Sequence, residues 1–268
     1  MILTDTIQTT NKLRKRLFKS FNKIEKSYIQ YKNNPYIPTN ILELRIYMRK
    51  IRALLHFLKP IMKNKDYKRL NGIFRNFSNR LGTIRDIDVL LEDFNEIAIN
   101  KPELISNYTD VFRFLEKKRM ELIKKESTKK AFKTFEQDLE EAEEALENLE
   151  FQLEDKNTRH LRQEIRKRLK DMAEKLEIDY RRIDINDYEN VHDVRKDAKN
   201  VSYAIAGLKD WLPKTERRKI KKRAKKIQVE LGEHTDAFVN KERLESYLER
   251  AEKETLIGAF TTLLELNE

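Results

Sequence analysis

The chain has 268 residues and a formal net charge of +11, and charged residues make up 38% of it. It contains no cysteine, which excludes disulfides, a thiolate nucleophile and thiolate metal ligands. Because there are only 5 Gly and 5 Pro, long helical periodicities run with few interruptions, and the sequence predicts an all-α fold. No run approaches the roughly 18 apolar residues needed to span a membrane. The N-terminus has no signal-peptide pattern, so we expect a cytoplasmic protein.

Two basic helices with apolar stripes are predicted in the first sixty residues. The first covers residues 6–31 and the second residues 40–59, and prolines in the loop between them separate the two. Asn40, followed three residues later by Glu43, is expected to cap the start of the second helix. One face of that helix carries a row of cations, namely Arg45, Arg49 and Arg52.

The middle of the chain combines short helices with an acidic segment. A helix is predicted over residues 66–79, another after Leu81-Gly82, and two more within residues 104–154. Residues 136–155 hold ten acidic side chains and no Lys or Arg, typical of a solvated outer face beside an apolar stripe. Removing those ten charges from a net +11 leaves the other 248 residues with +21. That surplus favours a polyanionic partner such as nucleic acid, polyphosphate or an anionic membrane surface, although it also serves solubility.

The last third of the chain begins with a second basic helix, predicted over residues 158–180. After a polar loop comes a helical stretch from Val191 to Trp211, for which Asn190 is expected to be the cap. One face of this stretch presents His192, Arg195 and Lys199, with Tyr203 beside them.

A shift of 150 residues aligns the chain with itself and indicates an internal repeat. Asn40 then meets Asn190, and Arg45 meets Arg195. Further matched pairs are Arg49 with Lys199, Lys68 with Arg218, Arg75 with Lys225, Leu81-Gly82 with Leu231-Gly232, and Asp86 with Asp236. We therefore predict two tandem four-helix bundles within one domain, 1–268. The first repeat would cover 1–125 and the second 156–268, joined by an acidic connecting helix at 126–155.

These repeated motifs resemble the CHAD family, the conserved histidine α-helical domain, over nearly the whole chain. The family pattern is His-x-x-Arg with further basic residues at +7, +8 and +10, followed by Leu-Gly-x-x-x-Asp. Leu81–Val89 is especially similar to the family's Leu-Gly-x-x-Arg-Asp-x-Asp-Val segment. The resemblance implies two bundles related by a pseudo-two-fold axis, with a basic central surface that binds inorganic polyphosphate without catalysis. Because the Glu-x-Glu-x-Lys signature of CYTH triphosphatases is absent, we expect a stand-alone module.

The two repeats depart from the family pattern in different ways. In the second repeat the histidine position is kept by His192, while Asn200 and Ser202 stand where the family has cations. In the first repeat Leu42 occupies the histidine position. The basic positions there are kept by Arg45, Arg49, Lys50 and Arg52.

The candidate polyphosphate site combines the cations of both repeats. Its expected binding residues are Arg45, Arg49, Lys50, Arg52, Lys68, Arg75, His192, Arg195, Lys199, Arg218 and Lys225. Asp86, Asp236 and Tyr203 are expected to support or orient them. We expect His192 to adjust affinity with pH, because phosphates favour the imidazolium. The other histidines, His56, His160 and His234, have no metal-ligand spacing, so no metal or cofactor is expected.

Other classes of function explain parts of the same pattern. A basic helical surface also suits RNA or DNA, although the basic rows lack interleaved aromatics and base-reading Asn or Gln. A structural adaptor would use the acidic segment as a coiled-coil partner. An enzyme finds little support, since a Gly-rich phosphate loop, a His-Glu-x-x-His motif and a cysteine nucleophile are all missing from the sequence.

Overall fold

The computed structural model describes residues 2–100, 105–152, 158–248, 257 and 261. The described residues form nine α-helices, one short 3-10 helix at Lys59–Ile61 and no strand, which confirms the all-α prediction. The helices are α1 Ile2–Asn33, α2 Pro38–Leu58, α3 Asn64–Arg80, α4 Gly82–Asn100, α5 Ile105–Glu126, α6 Lys129–Glu147, α7 Thr158–Arg181, α8 Tyr188–Gly207 and α9 Lys214–Leu248.

The starts of α2 and α8 differ from the predicted caps. Helix α2 begins at Pro38, whose fixed φ suits the first helical position, and its preceding residue makes no side-chain cap. The Asn40 side chain instead donates to the carbonyl oxygens of Gln30 and Asn34. In α8 the cap is Asp187, which accepts from the backbone N–H of Asn190 at 3.1 Å. Both predicted asparagine caps are therefore wrong, because a proline or an aspartate two or three residues earlier starts each helix.

Helices α1, α2, α3 and α6 enclose the first part of the core. The side chains of Leu17 and Phe21 in α1 are buried, at the helical spacing that the sequence predicted. Helix α6 packs against α1 and α3 and buries Phe135, whose ring stacks on Phe77 with centroids 4.6 Å apart. The acidic helix is thus a bundle member whose apolar stripe belongs to this core, and its glutamates lie mostly on the exposed side.

Helices α7, α8 and α9 enclose the second part, where the helix ends differ from those predicted. Helix α8 stops at Gly207, so Trp211 lies in the turn that follows. Helix α9 runs without a break, whereas the first part divides at Leu81 into α3 and α4. The starts of α2 and α8, and of α3 and α9, are each 150 residues apart, the offset of the predicted repeat.

One continuous cluster of buried apolar side chains contains residues from all nine helices. Helix α2 contacts α8 within this cluster, and Leu54 lies there against Gly207. A smaller cluster joins α4 and α5 and includes Leu244 of α9. The α2–α8 contact therefore brings the two cationic helices side by side. No helix in the described part is long and apolar enough to cross a membrane.

Candidate functional site

A cleft of about 440 Å³, here called the central cleft, opens beside the contact between α2 and α8. Helix α2 contributes Arg49, Arg52 and His56 to its lining. Helix α3 contributes Tyr67 and Asn71, and α8 contributes one carboxylate among its lining residues Lys196, Asp197, Lys199, Asn200 and Tyr203. The packing of α2 on α8 thus brings Arg49, Arg52, Lys199 and Tyr203, which the sequence placed in separate repeats, to one cavity.

Arg52 is a partly buried cation in this cleft, and it forms no ion pair among the described residues, although Asp197 also lines the cleft. Its Nε donates to Oδ1 of Asn71 at 3.1 Å, a neutral acceptor. Burial lowers the pKa of Arg52 from its ordinary value, and the charge of Arg75 lowers it further. Arg75 is exposed on α3 and does not line the cleft in the described structure. Its charge acts on the cleft at a distance, through its electrostatic potential. A bound anion would relieve the cost of desolvating these charges.

Arg49 is likewise a partly buried cation that lines the central cleft. Its Nε is screened from solvent without a hydrogen-bond partner among the described residues. A buried N–H donor that lacks an acceptor is costly for the folded chain. Arg49 therefore presents unused donor capacity to the central cleft.

A second cleft of about 250 Å³, the α1–α2 cleft, adjoins the first and shares Tyr203 with it. Lys50 of α2 lines it, with its Nζ 4.8 Å from the ring centroid of Tyr47. Burial lowers the pKa of Lys50, and the charges of Lys23 and Lys221 lower it further. Cations of α1 and α2 thus line this cleft together, and the neighbouring charges that affect the pKa of Lys50 most are of its own sign.

Two of the predicted ligand-binding residues point away from both clefts and into contacts between helices. Arg45 points toward the junction of α3 and α4, and Arg195 points toward α9. Arg45 donates to the carbonyl oxygen of Ser78 and lies against Gly82, where an added Cβ would be 3.3 Å from its guanidinium. Arg195 donates to Oγ1 of Thr235, and an added Cβ at Gly232 of α9 would lie 3.5 Å from the guanidinium of Arg195. In the described structure neither lines the two clefts. The Leu-Gly motif therefore makes room for the motif arginine.

The remaining predicted residues are spread around the clefts. Lys68 of α3 and Arg218 and Lys225 of α9 are exposed and line neither cleft in the part that is described. Asp86 is partly buried at the start of α4. The side chain of Asp236 lies outside the described part of the structure.

His192 is exposed one helical turn before Lys196, outside both clefts as described. Its ring lies 5.8 Å from that of Tyr188, which stacks on Phe238. Partial burial lowers the pKa of His192, and Lys196 lowers it further, while Asp193 raises it by less. The histidine is therefore less readily protonated in the free protein than an ordinary one.

Sequence reasoning missed several side chains that line the central cleft, among them His56, Lys196 and Tyr67. His56 follows Arg52 by four residues and Lys196 follows His192 by four, so helical periodicity alone contained both signals. Tyr67 comes from α3, and its Oη lies 3.3 Å from Nδ1 of His56. Only the packing of α3 on α2 reveals it.

Within the described residues, no group of three or more His, Cys, Asp or Glu side chains is placed to hold a metal ion. The described residues form an all-helical arrangement with a cleft, lined by several cations, between α2 and α8. The sequence model of the CHAD domain matches residues 34–245, and the chain belongs to the CHAD domain family, as its motifs predicted.

Solved structures show the same fold. The crystal structure of the CHAD domain from the plant Ricinus communis superposes with a TM-score of 0.72 at 18% sequence identity. The match covers 95% of this chain and 85% of that one. A search of curated protein sequences finds no match.

Proposed function

We propose that this chain binds inorganic polyphosphate, without turning it over, in the central and α1–α2 clefts. The observation that carries the proposal is the convergence of Arg49, Arg52 and Lys199 on one cavity from two helices. Lys50 continues the cationic lining into the adjoining cleft. Membership of the CHAD family, whose members are associated with polyphosphate, supports the same ligand.

The chemistry of the ligand fits these groups. Polyphosphate is a flexible strand with about one negative charge per phosphate, so its binding needs several cations on rigid elements. Arginine offers paired N–H donors to phosphate oxygens and lysine a point charge. Each charge-assisted hydrogen bond contributes about 1.5–3 kcal/mol, so a few contacts give useful affinity at low salt. Because Arg49 and Arg52 are already partly desolvated in the folded chain, the ligand gains their attraction at a smaller further cost than fully hydrated cations would require.

The test removes the cations of the central cleft and compares a matched set elsewhere. We expect Arg49→Ala/Arg52→Ala/Lys199→Ala to bind long-chain polyphosphate at least about tenfold more weakly, the loss of roughly one charge-assisted contact. Lys117→Ala/Lys118→Ala/Lys124→Ala removes the same charge from exposed positions on α5 and should stay within about twofold. Equal losses in the two variants would show that net charge alone governs binding.

Nucleic acid is the second candidate, and one feature of the fold favours it. The basic rows lack aromatics along each helix, but Tyr67 and Tyr203 reach the central cleft from different helices. Base stacking on such rings is worth about 1–3 kcal/mol per base. We expect long-chain polyphosphate to displace single-stranded RNA of equal charge. RNA that competes equally or better would assign the cleft to nucleic acid, and no affinity for either would favour an adaptor role.

A further inference from the structure

A third cleft, the α1–α7 cleft, has a volume of about 590 Å³ and lies outside the site predicted from the motifs. Helix α1 lines it with Lys12, Lys15, Arg16 and Lys19. Arg162 of α7 faces them, and Asp210 and Trp211 come from the turn after α8. Its lining therefore contains five cations and one carboxylate.

Four of the five cations of this cleft have no carboxylate partner in the described structure. Lys12, Lys15, Lys19 and Arg162 are exposed and form no ion pair within the described structure, and Asp210 is paired with Arg16. Some cations elsewhere on the same two helices are paired with carboxylates. Near the end of α1, for example, Lys32 pairs with Glu136 of α6. In α7, Arg166 and Lys170 both pair with Glu216 of α9.

The five cations and one carboxylate of the lining thus leave the cleft with four uncompensated positive charges in the described structure. Unpaired cations grouped around a concave surface focus a positive potential within it. Such a potential attracts an anion with several charges more strongly than isolated surface lysines do.

The α1–α7 cleft adjoins the α1–α2 cleft, and through it the central cleft. It shares Arg16 and Lys19 with the α1–α2 cleft, which in turn shares Tyr203 with the central cleft. A flexible strand that lies in the central cleft therefore meets cations at each step toward α7.

We propose that the α1–α7 cleft is a second binding site for phosphate chains, which a strand anchored in the central cleft reaches only when it is long enough. The inference rests on the proposed function, since it extends the path of the same ligand. Binding at the second cleft is then intramolecular, and its effective concentration is in the millimolar range for a short flexible connection. Affinity should consequently increase with chain length beyond the increase expected from charge alone.

The experiment uses the protein's single tryptophan as a local probe. Trp211 lines the α1–α7 cleft, so its fluorescence should change when this cleft is filled. The full chain is titrated with tripolyphosphate and with long-chain polyphosphate, and fluorescence and affinity are measured together. The variant Lys12→Ala/Lys15→Ala/Arg162→Ala changes exposed side chains that belong only to this cleft, and the α5 triple variant described above is its control.

In the α1–α7 variant we expect tripolyphosphate affinity to stay within about twofold, and long-chain affinity to fall at least about fivefold below that of the α5 control. The long-chain fluorescence response should also disappear. A wild-type response that is absent, or a long-chain loss equal to that of the control, would overturn the second site. If the central-cleft variant still loses binding in that case, the proposed function stands and only this extension fails. A wild type that binds neither ligand overturns both.

Discussion

At the scale of single residues, the motif arginines divide into two kinds. Arg45 gives a hydrogen bond to a backbone carbonyl and packs on a glycine, whereas Arg49, one turn later, lines the central cleft. We therefore expect the same residue type to serve the fold at one position and the proposed ligand at the other.

This division predicts that two alanine substitutions affect different properties, namely the stability of the fold in one case and the affinity for polyphosphate in the other. Arg45→Ala leaves the carbonyl of Ser78 without its donor at a partly buried junction, and we expect it to lower the free energy of unfolding by about 1–3 kcal/mol. Arg49→Ala removes a donor that has no acceptor, so stability should change by no more than about 0.5 kcal/mol while polyphosphate affinity falls. Urea denaturation followed by circular dichroism measures the first quantity, and binding measures the second. Equal destabilisation by both changes would contradict this assignment.

His192 should titrate below 6.5 in the free protein, because burial and Lys196 both lower its pKa. The unfolded chain then binds more protons between the folded and unfolded pKa values. The contribution of His192 to stability therefore decreases as the pH falls through that window. If phosphates lie along α8 beyond Lys196, they should raise this pKa, and binding should strengthen between pH 7.5 and pH 6. NMR titration with and without polyphosphate, assigned with His192→Gln, tests this. An unchanged pKa would mean that the ligand stops short of the start of α8.

At the scale of helices, α8 carries part of the site, and its start is fixed by an aspartate. The side chain of Asp187 accepts from the backbone N–H of Asn190, so the cap orients the first turn from outside the helix. A sequence with several Asp and Asn residues before a helix offers several caps, and propensity does not distinguish them.

We expect Asp187→Ala to lower the free energy of unfolding by about 0.5–2 kcal/mol, the usual cost of a lost cap. Asn190→Ala replaces a helical asparagine by a better helix former and should be neutral or slightly stabilising. Thermal and urea unfolding of both variants provide the comparison. A larger loss from Asn190→Ala than from Asp187→Ala would restore the cap inferred from the sequence.

At the scale of the whole molecule, periodicity and proline positions were enough to predict the helical class and most helix boundaries. The motif residues in the sequence also identified the family and the two helices beside the central cleft. The remaining features depend on contacts between segments far apart in sequence. The approach of Tyr67 to His56 and the turn of Arg45 toward Gly82 are set by packing, which helical spacing does not encode.

The prediction of two tandem bundles also leaves open whether the halves are separate folding units. A single cluster of buried apolar side chains includes residues from every helix, and α2 contacts α8 within it. The side chain of Leu54 lies at this junction, where an added Cβ on Gly207 would be 3.5 Å from its Cδ1. Since a shared core ties the stability of each half to the other, we expect the chain to unfold as one cooperative unit.

Two probes test this cooperativity. Trp211 reports on the second half, and far-ultraviolet circular dichroism reports on all helices, so their urea transitions should coincide. Leu54→Ala empties space between α2 and α8 and should lower the free energy of unfolding by about 2–5 kcal/mol, moving both transitions equally. If the halves were independent, the circular dichroism would show two steps, and the substitution in α2 would leave the Trp211 transition unmoved. The coincidence of the two curves in the variant therefore decides whether the cleft lies between separate bundles or within one cooperative domain.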